Sequence, residues 1–470
     1  MSSDSSGDCS VRHVVVVDFH YQNGCQIDYS FPEIESDKIA TIWRFLPHLS
    51  IPDGAHKTEE GSVFFTIPTS VEHPFGGKRI FGISYYRQID ANEVPLEDRK
   101  TPRSTILKAV VVLIDQPYFG FIHAKLVAIT KAYFDSKDFS NKEIIKEFYD
   151  SLSVSSIKRE ELHFYHIGIN LSHLIKKFRH KILLIFKLLL LEQKVLFYGA
   201  SAERVCFTFL SFLSIYPGLL SQELSFSQSS EPKDDMGFPL SLFSNECVFE
   251  PYLPLQQLES LTLGKYKGYL VGATNPLMRH KTDWIDAVVD VEECSLTLTS
   301  SYLTSVLSST VADERFSQYL IDHVAPDIET QDERTQWEGS EEWIRAQFKL
   351  YLVSLFCCSL CQGSALWADF NDDYVVMLRS TQHYSKWKEK GQPGMTEIEP
   401  QHPFHGQMSP SDVGRRVAKF VGLNDVQASQ IVADANRAMK TVKETMGSLW
   451  STAKSWFNQD DEDSEEKNTD

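Results

Sequence analysis

The sequence predicts a chain of several lobes, in which an α+β unit is followed by an α/β unit and then by helices. Three observations support this fold class. A length of 470 residues exceeds what one hydrophobic core usually serves and indicates two or three domains. Short β-type runs separated by Gly and Pro fill the first 150 residues. From about residue 160, helix-like and strand-like apolar runs alternate, and after about residue 310 only helical patterns remain.

The first predicted unit covers residues 12–150. A valine-rich strand at 14–17 reaches a second strand at 25–29 across Asn23 and Gly24, a dipeptide that closes tight hairpins. Further strands are predicted at 62–67, 79–86 and 108–113. A helix is predicted at 122–133, where apolar residues recur at spacings of four, three and four, and it would pack on the strands.

The second predicted unit covers residues 151–310. A long apolar helix at 171–191 leads into a strand at 194–199, and a second helix follows at 202–213. The runs 269–273 and 285–291 are almost continuously apolar, which is typical of strands covered on both faces. The simplest arrangement is a parallel sheet flanked by helices.

Helices predicted at 343–360 and 373–390 form a third unit, residues 311–400. Amphipathic helices are predicted at 409–457, beginning at Ser409, where the following Pro410 and Asp412 suit the first helical turn. An acidic disordered tail is predicted at 458–470. Its last eleven residues hold seven acids and one base, a charge of −6.

The C-terminal helix carries an apolar stripe whose residues are spaced four and three apart from 428 to 456. Three interpretations remain open: packing on its own protein, pairing with a partner helix, or lying in a membrane interface beside a Ser/Thr-rich polar face. The acidic tail would repel strongly anionic lipid, so a weakly charged, curved vesicle is the better membrane. The candidate membrane or partner-helix residues are Val442, Met446, Leu449, Trp450, Trp456 and Phe457.

Composition restricts the partners and the compartment. The formal net charge of −18 argues against nucleic acid as a partner. Eight scattered cysteines and a start without the features of a signal peptide predict a reducing, cytoplasmic location. The most apolar stretch, 182–191, contains Lys187 and is shorter than the roughly 20 residues of a bilayer span, so a buried helix is expected.

Short motifs give no covalent or acid–base active site. The Cys358 and Cys361 pair lies inside an apolar helix, where packing is the simpler interpretation. A run of four histidines has no carboxylates interleaved to orient the rings of a metal site; they are His163, His166, His173 and His180. The segment 76–79 is too short for a phosphate-binding loop. The segment 199–202 lies between a strand and a helix, where the turn itself requires small residues, so these residues do not indicate a nucleotide site. We expect no cofactor and no metal.

Several stretches in a fixed order resemble the DENN-domain family of membrane-traffic regulators, in its late secretory, Avl-nine-type branch. The stretches are 14–20 with Gly24 and Cys25, 81–88, 125–133, 188–198, 249–254 and 269–275. The likeness covers about residues 12–300, with a weaker helical match to about 390. One departure is that Leu255, Gln256 and Gln257 follow Pro254, where the family commonly has a further proline.

The resemblance implies a longin-like N-terminal lobe, a central α/β lobe and a helical C-terminal lobe. It also implies guanine-nucleotide exchange on a Rab-type small GTPase, at the surface of Golgi-derived vesicles or recycling endosomes. Ligands of open α/β sheets gather outside the carboxyl ends of strands, so Asn275 and Arg279 are the candidate GTPase contacts. For Asn275, the simpler alternative is a cap on the helix that begins at Pro276.

Two other functions remain open. The same fold would also suit a scaffold or tether that binds a GTPase and a membrane without exchanging nucleotide. A metal-free hydrolase is disfavoured, because the sequence has no nucleophile arrangement.

Overall fold

The structure is a computed structural model. It describes residues 11–20, 22–70, 75, 79–95, 104–154, 165–223, 234–242, 247–264, 266–280, 282–324, 338–361 and 364–406. These residues form two five-stranded sheets, packed helices and a helical region after the second sheet, which confirms the α+β and α/β architecture in several lobes. The predicted domain boundaries stay predictions. The amphipathic helices at 409–457 and the tail at 458–470 lie outside the described residues.

The first sheet is antiparallel throughout, in the order β2-β1-β5-β4-β3. Its strands are β1 Val11–His20, β2 Gly24–Phe31, β3 Glu60–Pro68, β4 Arg79–Asp90 and β5 Thr105–Ile114. Each strand predicted from the sequence is present. The hairpin between β1 and β2 is confirmed, and Gly24 has a φ of 73°, which glycine adopts without steric cost.

Four helices accompany the first sheet: α1 Ser36–Thr41, α2 Leu46–Ser50, α3 Phe119–Asp135 and α4 Glu143–Val154. The predicted helix at 122–133 is α3, which contacts β4 and β5. Ile122, Leu126 and Tyr133 are buried on the sheet, as their spacing predicts.

The second sheet has the order β10-β9-β6-β8-β7. Its strands are β6 Lys194–Tyr198, β7 Cys247–Glu250, β8 Gly268–Ala273, β9 Ala287–Asp290 and β10 Ser295–Leu298. The prediction of a purely parallel sheet is wrong at one edge, because β10 runs antiparallel to β9. The connection between them is a short turn, which suffices for antiparallel strands, whereas a parallel pair needs a long crossover.

Helices cover both faces of the second sheet, as its apolar strands predict. One face packs on α7 Ala202–Ser214 through Phe197, Phe209 and Phe249. The other face has a separate core with α8 Leu258–Leu263 and α9 Pro276–His280, where Tyr269 stacks on Trp284.

Two predicted helices are each divided into two. The predicted helix at 171–191 is α5 Leu171–Phe178 and α6 Lys181–Leu189, separated at Arg179, whose φ of 47° is incompatible with a continuous helix. The break lies in residues 176–181, five of which are basic or polar, so the apolar pattern has a gap there that the prediction of one long helix passed over.

The predicted helix at 373–390 is likewise two helices. The remaining helices are α10 Ser301–Val306, α11 Val311–Val324, α12 Glu341–Leu360, α13 Asp372–Arg379 and α14 Gln382–Glu389. The Thr381 hydroxyl accepts a hydrogen bond from the Tyr384 N–H, so it caps a new helix. The helix predicted at 343–360 is confirmed as α12.

A buried ion pair joins α6 to this helical region. Lys187 Nζ donates to Asp313 Oδ2 at 2.8 Å and to the Phe370 carbonyl at 2.9 Å. The Tyr351 hydroxyl donates to Asp313 Oδ1 at 2.7 Å, and His402 Nε2 lies 3.4 Å from the same oxygen. Burial alone would raise the pKa of Asp313, but Lys187 and His402 hold it well below its ordinary value.

The variant Asp313→Asn should lose about 3–5 kcal/mol of unfolding free energy at pH 7, because it leaves Lys187 buried without a counter-charge. A depressed carboxyl pKa stabilises the fold above the unfolded-state pKa of about 3.9, and this contribution decreases as the pH falls below it. Urea unfolding should be measured between pH 6 and pH 2. The difference in unfolding free energy between Asp313→Asn and the wild type should become smaller below about pH 4.

The matched control is Asp322→Asn, which changes an exposed carboxylate on the same helix and should cost less than about 1 kcal/mol. Equal losses in the two variants would contradict a stabilising role for the Lys187–Asp313 pair.

Candidate functional site

The candidate site lies where the parallel strands of the second sheet end. Strands β6, β8 and β9 end at Tyr198, Ala273 and Asp290, and their carboxyl ends share one edge because the strands are parallel. The turn after β8 carries Asn275, and α9 carries Arg279. The structure therefore brings both predicted residues to the edge where ligands of such sheets gather.

Asn275 has two structural roles. Its Oδ1 accepts a hydrogen bond from the Leu277 N–H at 3.0 Å, which caps the start of α9. Its Nδ2 donates to Asp53 Oδ2 at 3.2 Å, and Asp53 belongs to the loop before β3. The capping interpretation is confirmed, and a GTPase contact stays a proposal.

Arg279 is held in place from two sides. Its Nη1 donates to Asp290 Oδ2 at 2.8 Å, and its guanidinium lies 5.3 Å from the centre of the Tyr198 ring. The other oxygen of Asp290 accepts the N–H groups of Glu292 and Glu293, both at 3.0 Å. Arg279 is thus oriented by a buried carboxylate while 44% of its side chain stays exposed.

An exposed apolar side chain lies two residues before Arg279 on the same helix. Leu277 is 57% exposed, and it sits on α9 between Asn275 and Arg279. The carboxyl-edge surface, defined as Tyr198, Asn275, Leu277 and Arg279, therefore combines an oriented cation, an aromatic ring and an exposed leucine. Such a set suits binding to a protein surface, since aromatic and Arg side chains are common anchors in interfaces.

The first sheet packs against this region along a contact that we call the seam. Strand β3 is an edge strand, and the N–H groups on its outer side belong to Ser62, Phe64 and Thr66. Three side chains of the second unit accept them: Glu203 Oε2 at 3.0 Å, Cys206 Sγ at 3.4 Å and Glu250 Oε2 at 3.3 Å. The open edge of the sheet is closed by side chains in place of another strand.

The strongest interaction of the seam is a buried ion pair between Arg79 of β4 and Glu250 of β7. Both side chains are at most 3% exposed. The Thr66 hydroxyl donates to Glu250 Oε1 at 2.8 Å and accepts from Arg79. Burial raises the pKa of Glu250 to about 7, although Arg79 and Thr66 oppose this shift, so at neutral pH the carboxylate depends on the guanidinium to stay charged.

The loop before β3 continues the seam to the carboxyl-edge surface. The Asp53 N–H donates to the Tyr252 hydroxyl at 2.7 Å, and the Thr274 hydroxyl donates to the Asp53 carbonyl at 2.9 Å. Together with the Asn275 contact, these bonds fix the loop on the turns after β7 and β8. Residues of both sheets therefore border the candidate surface.

Sequence reasoning did not find the seam. Its partners are 141 to 184 residues apart in the chain. The one local signal was Glu250, a charged residue at the end of an apolar run. The sequence pattern places Arg79 at the start of the predicted strand 79–86 and in the rejected phosphate loop 76–79, and neither assignment indicates an ion pair.

The prediction that the cysteine pair packs inside a helix is confirmed for Cys358 and wrong for Cys361, which is half-buried. Cys358 is fully buried on α12, and burial raises the pKa of its thiol to about 12. Cys361 follows the end of the helix. Within the described part of the chain, no three His, Cys, Asp or Glu side chains are grouped to hold a metal ion.

The sequence matches the family model of the transport protein Avl9 over residues 11–235 and 221–359. The chain belongs to the Avl9 family. The two matched segments span more than half of the chain and include both sheets and most of α12. The family resemblance predicted from short stretches is thereby confirmed.

Two relatives are named late secretory pathway proteins. The avl9 protein of Schizosaccharomyces pombe is 31% identical over 363 residues, which cover 73% of this chain and 75% of the relative. The AVL9 protein of Saccharomyces cerevisiae is 28% identical over 396 residues, which cover 75% of this chain and 52% of the relative. The match thus spans about half of the budding-yeast protein.

Avl9-family membership supports a role in vesicle transport. None of the helices in the described ranges is long and apolar enough to cross a membrane. The six predicted membrane or partner-helix residues between 442 and 457 lie outside those ranges.

Proposed function

We propose that this Avl9-family chain promotes vesicle transport in the late secretory or recycling pathway by guanine-nucleotide exchange on a Rab-type small GTPase. The names of the relatives support the pathway, and the resemblance to DENN-domain proteins supports the exchange activity. The observation that carries the proposal is the carboxyl-edge surface, where Asp290 orients Arg279 and the same short helix exposes Leu277.

An oriented arginine lowers the cost of binding. Its side chain is already held by the Asp290 carboxylate and the Tyr198 ring, so less conformational entropy is lost when a partner contacts it. Leu277 would lose its remaining water contact in the complex, which contributes favourably through burial of apolar area.

Exchange of this kind needs no nucleophile. A protein that binds the nucleotide-free conformation of a GTPase more tightly than the nucleotide-bound one weakens nucleotide binding by the same factor, because coupling between two ligands is reciprocal. A shaped surface at the border of two lobes suffices for that. The absence of a catalytic motif in the sequence is therefore compatible with the proposal.

Fluorescent GDP release across a panel of Rab proteins tests the exchange activity. The wild type should accelerate release from at least one Rab, and Arg279→Ala or Leu277→Asp should reduce that acceleration at least about tenfold, as expected for the loss of an interface anchor. The matched control is Val376→Asp on α13, which changes another exposed apolar residue and should keep full activity.

No acceleration on any Rab would refute the exchange proposal. If a Rab binds without faster release, and binding depends on Arg279, the chain is a tether that uses the same surface. Equal exchange activity of all three variants would show that the carboxyl-edge surface is not the contact for the GTPase.

Membrane attachment is proposed for the amphipathic segment that contains Leu449 and Trp456. Truncation after Gly422 should abolish sedimentation with small neutral liposomes, because it removes the apolar stripe of the C-terminal helix. A matched variant that ends at Asn458 keeps the apolar stripe of the C-terminal helix and lacks the acidic residues of the tail, so it should still sediment. Sedimentation of the shorter variant would show that another part of the chain binds the membrane.

A further inference from the structure

A cleft of about 310 Å³ opens at one end of the first sheet. None of its lining residues belongs to the carboxyl-edge surface. Its main lining residues are Arg12, His13, Lys38, Trp43, Ile80 and Asp115. They come from β1, α1, β4 and the ends of neighbouring elements. Pockets for small ligands usually begin at about 300 Å³, so the cleft has room for a compact ligand.

The floor of the cleft is rigid and apolar. Trp43 is 1% exposed, and its Nε1 donates to the Pro68 carbonyl at 3.0 Å. The His13 ring meets the Trp43 ring edge-on, with 5.6 Å between centroids. Ile80 is also buried. These buried side chains form a fixed base beneath the polar groups of the cleft.

Three basic side chains surround that floor. Arg12 pairs with Asp115 at 3.1 Å. Lys38 Nζ lies 3.7 Å from the centre of the Trp43 ring, and no carboxylate of the described residues lies within ion-pair distance of it. His13 Nδ1 donates to the Pro32 carbonyl at 2.9 Å, so a proton gained by the neutral ring goes to Nε2. In a chain with a net charge of −18, this is an unusual gathering of cations.

The basic side chains of the cleft influence one another electrostatically. Burial lowers the pKa of His13, and Lys38 and Arg12 lower it further, while the Pro32 carbonyl opposes them. Burial also lowers the pKa of Lys38, with Arg12 adding to this and Glu35 opposing it. The cations therefore repel one another, and a bound anion would relieve that repulsion.

We propose that the cleft lined by Arg12, His13, Lys38 and Trp43 binds a phosphate monoester, whose phosphate pairs with Lys38 and Arg12 beside the His13 ring. Two sources share this chemistry, a small soluble phosphate ester and the phosphate headgroup of a lipid. Charge-assisted hydrogen bonds from Lys and Arg suit phosphate oxygens. The site is distinct from the carboxyl-edge surface and does not depend on nucleotide exchange.

Binding of phenyl phosphate to the full chain at pH 7.5, measured by calorimetry, tests the proposal. Lys38→Gln should raise the dissociation constant about tenfold or more, which matches the loss of one charge-assisted hydrogen bond. Arg12→Gln should raise it similarly. The matched control is Lys146→Gln, which removes the same charge from an exposed position on α4 and should change the constant less than about twofold.

A second readout reports the site directly. The ring resonances of His13, assigned by their disappearance in His13→Gln, should shift on addition of phenyl phosphate, and the pKa of His13 should rise. The sign follows from linkage, because an anion that favours protonated His13 must raise its pKa. The other charged groups around the ring are Arg12, Lys38, Asp115 and Glu35.

Vesicles distinguish the two sources. The additional sedimentation that phosphatidic acid causes over pure phosphatidylcholine vesicles is the quantity to compare, because the C-terminal segment is expected to bind neutral vesicles in every variant. An additional fraction that is reduced in Lys38→Gln and kept in Lys146→Gln assigns the site to a lipid headgroup. Binding of phenyl phosphate without such sedimentation assigns it to a soluble ester. The proposal is overturned if neither probe binds, or if Lys38→Gln and Lys146→Gln behave alike while both keep the wild-type melting temperature.

Discussion

The buried contact of Arg79 with Glu250 holds the two sheets together, and the rest of the structure depends on it. Strand β3 ends its sheet with unpaired N–H groups, which attract other strands and cost free energy when buried without partners. Glu203, Cys206 and Glu250 accept those groups. Glu250 accepts two bonds from Thr66 as a buried anion, and Arg79 supplies the counter-charge that permits this.

The same contact defines the surface at which function is proposed. With the sheets joined, the loop at Asp53 reaches the turns that carry Thr274 and Asn275, so that residues of both sheets border the exposed Leu277 and Arg279. A second buried pair, Lys187 with Asp313, attaches the helical region to the other end of the second unit. Two ion pairs thus connect three successive parts of the chain.

Local patterns predicted the elements but not their long-range contacts. Apolar spacing identified α3, α7 and α12, and near-continuous apolar runs identified the central strands. Strands β7 and β10 were not predicted, and the polar residues around Arg179 were not recognised as the break between α5 and α6. Lys187 interrupts the most apolar run of the sequence, and Glu250 follows a short apolar run. Their partners lie 126 and 171 residues away, and no local signal connects residues so distant.

Amide hydrogen exchange along β3 tests most directly whether the seam joins the sheets. The account predicts slow exchange for the outward N–H groups of β3 in the wild type, and at least about tenfold faster exchange at Thr66 in Arg79→Leu, because local opening exposes the amide. Arg44→Leu, an exposed change in the same lobe, should leave these rates unaltered. Fast exchange in the wild type, or unchanged exchange in Arg79→Leu, would contradict the account.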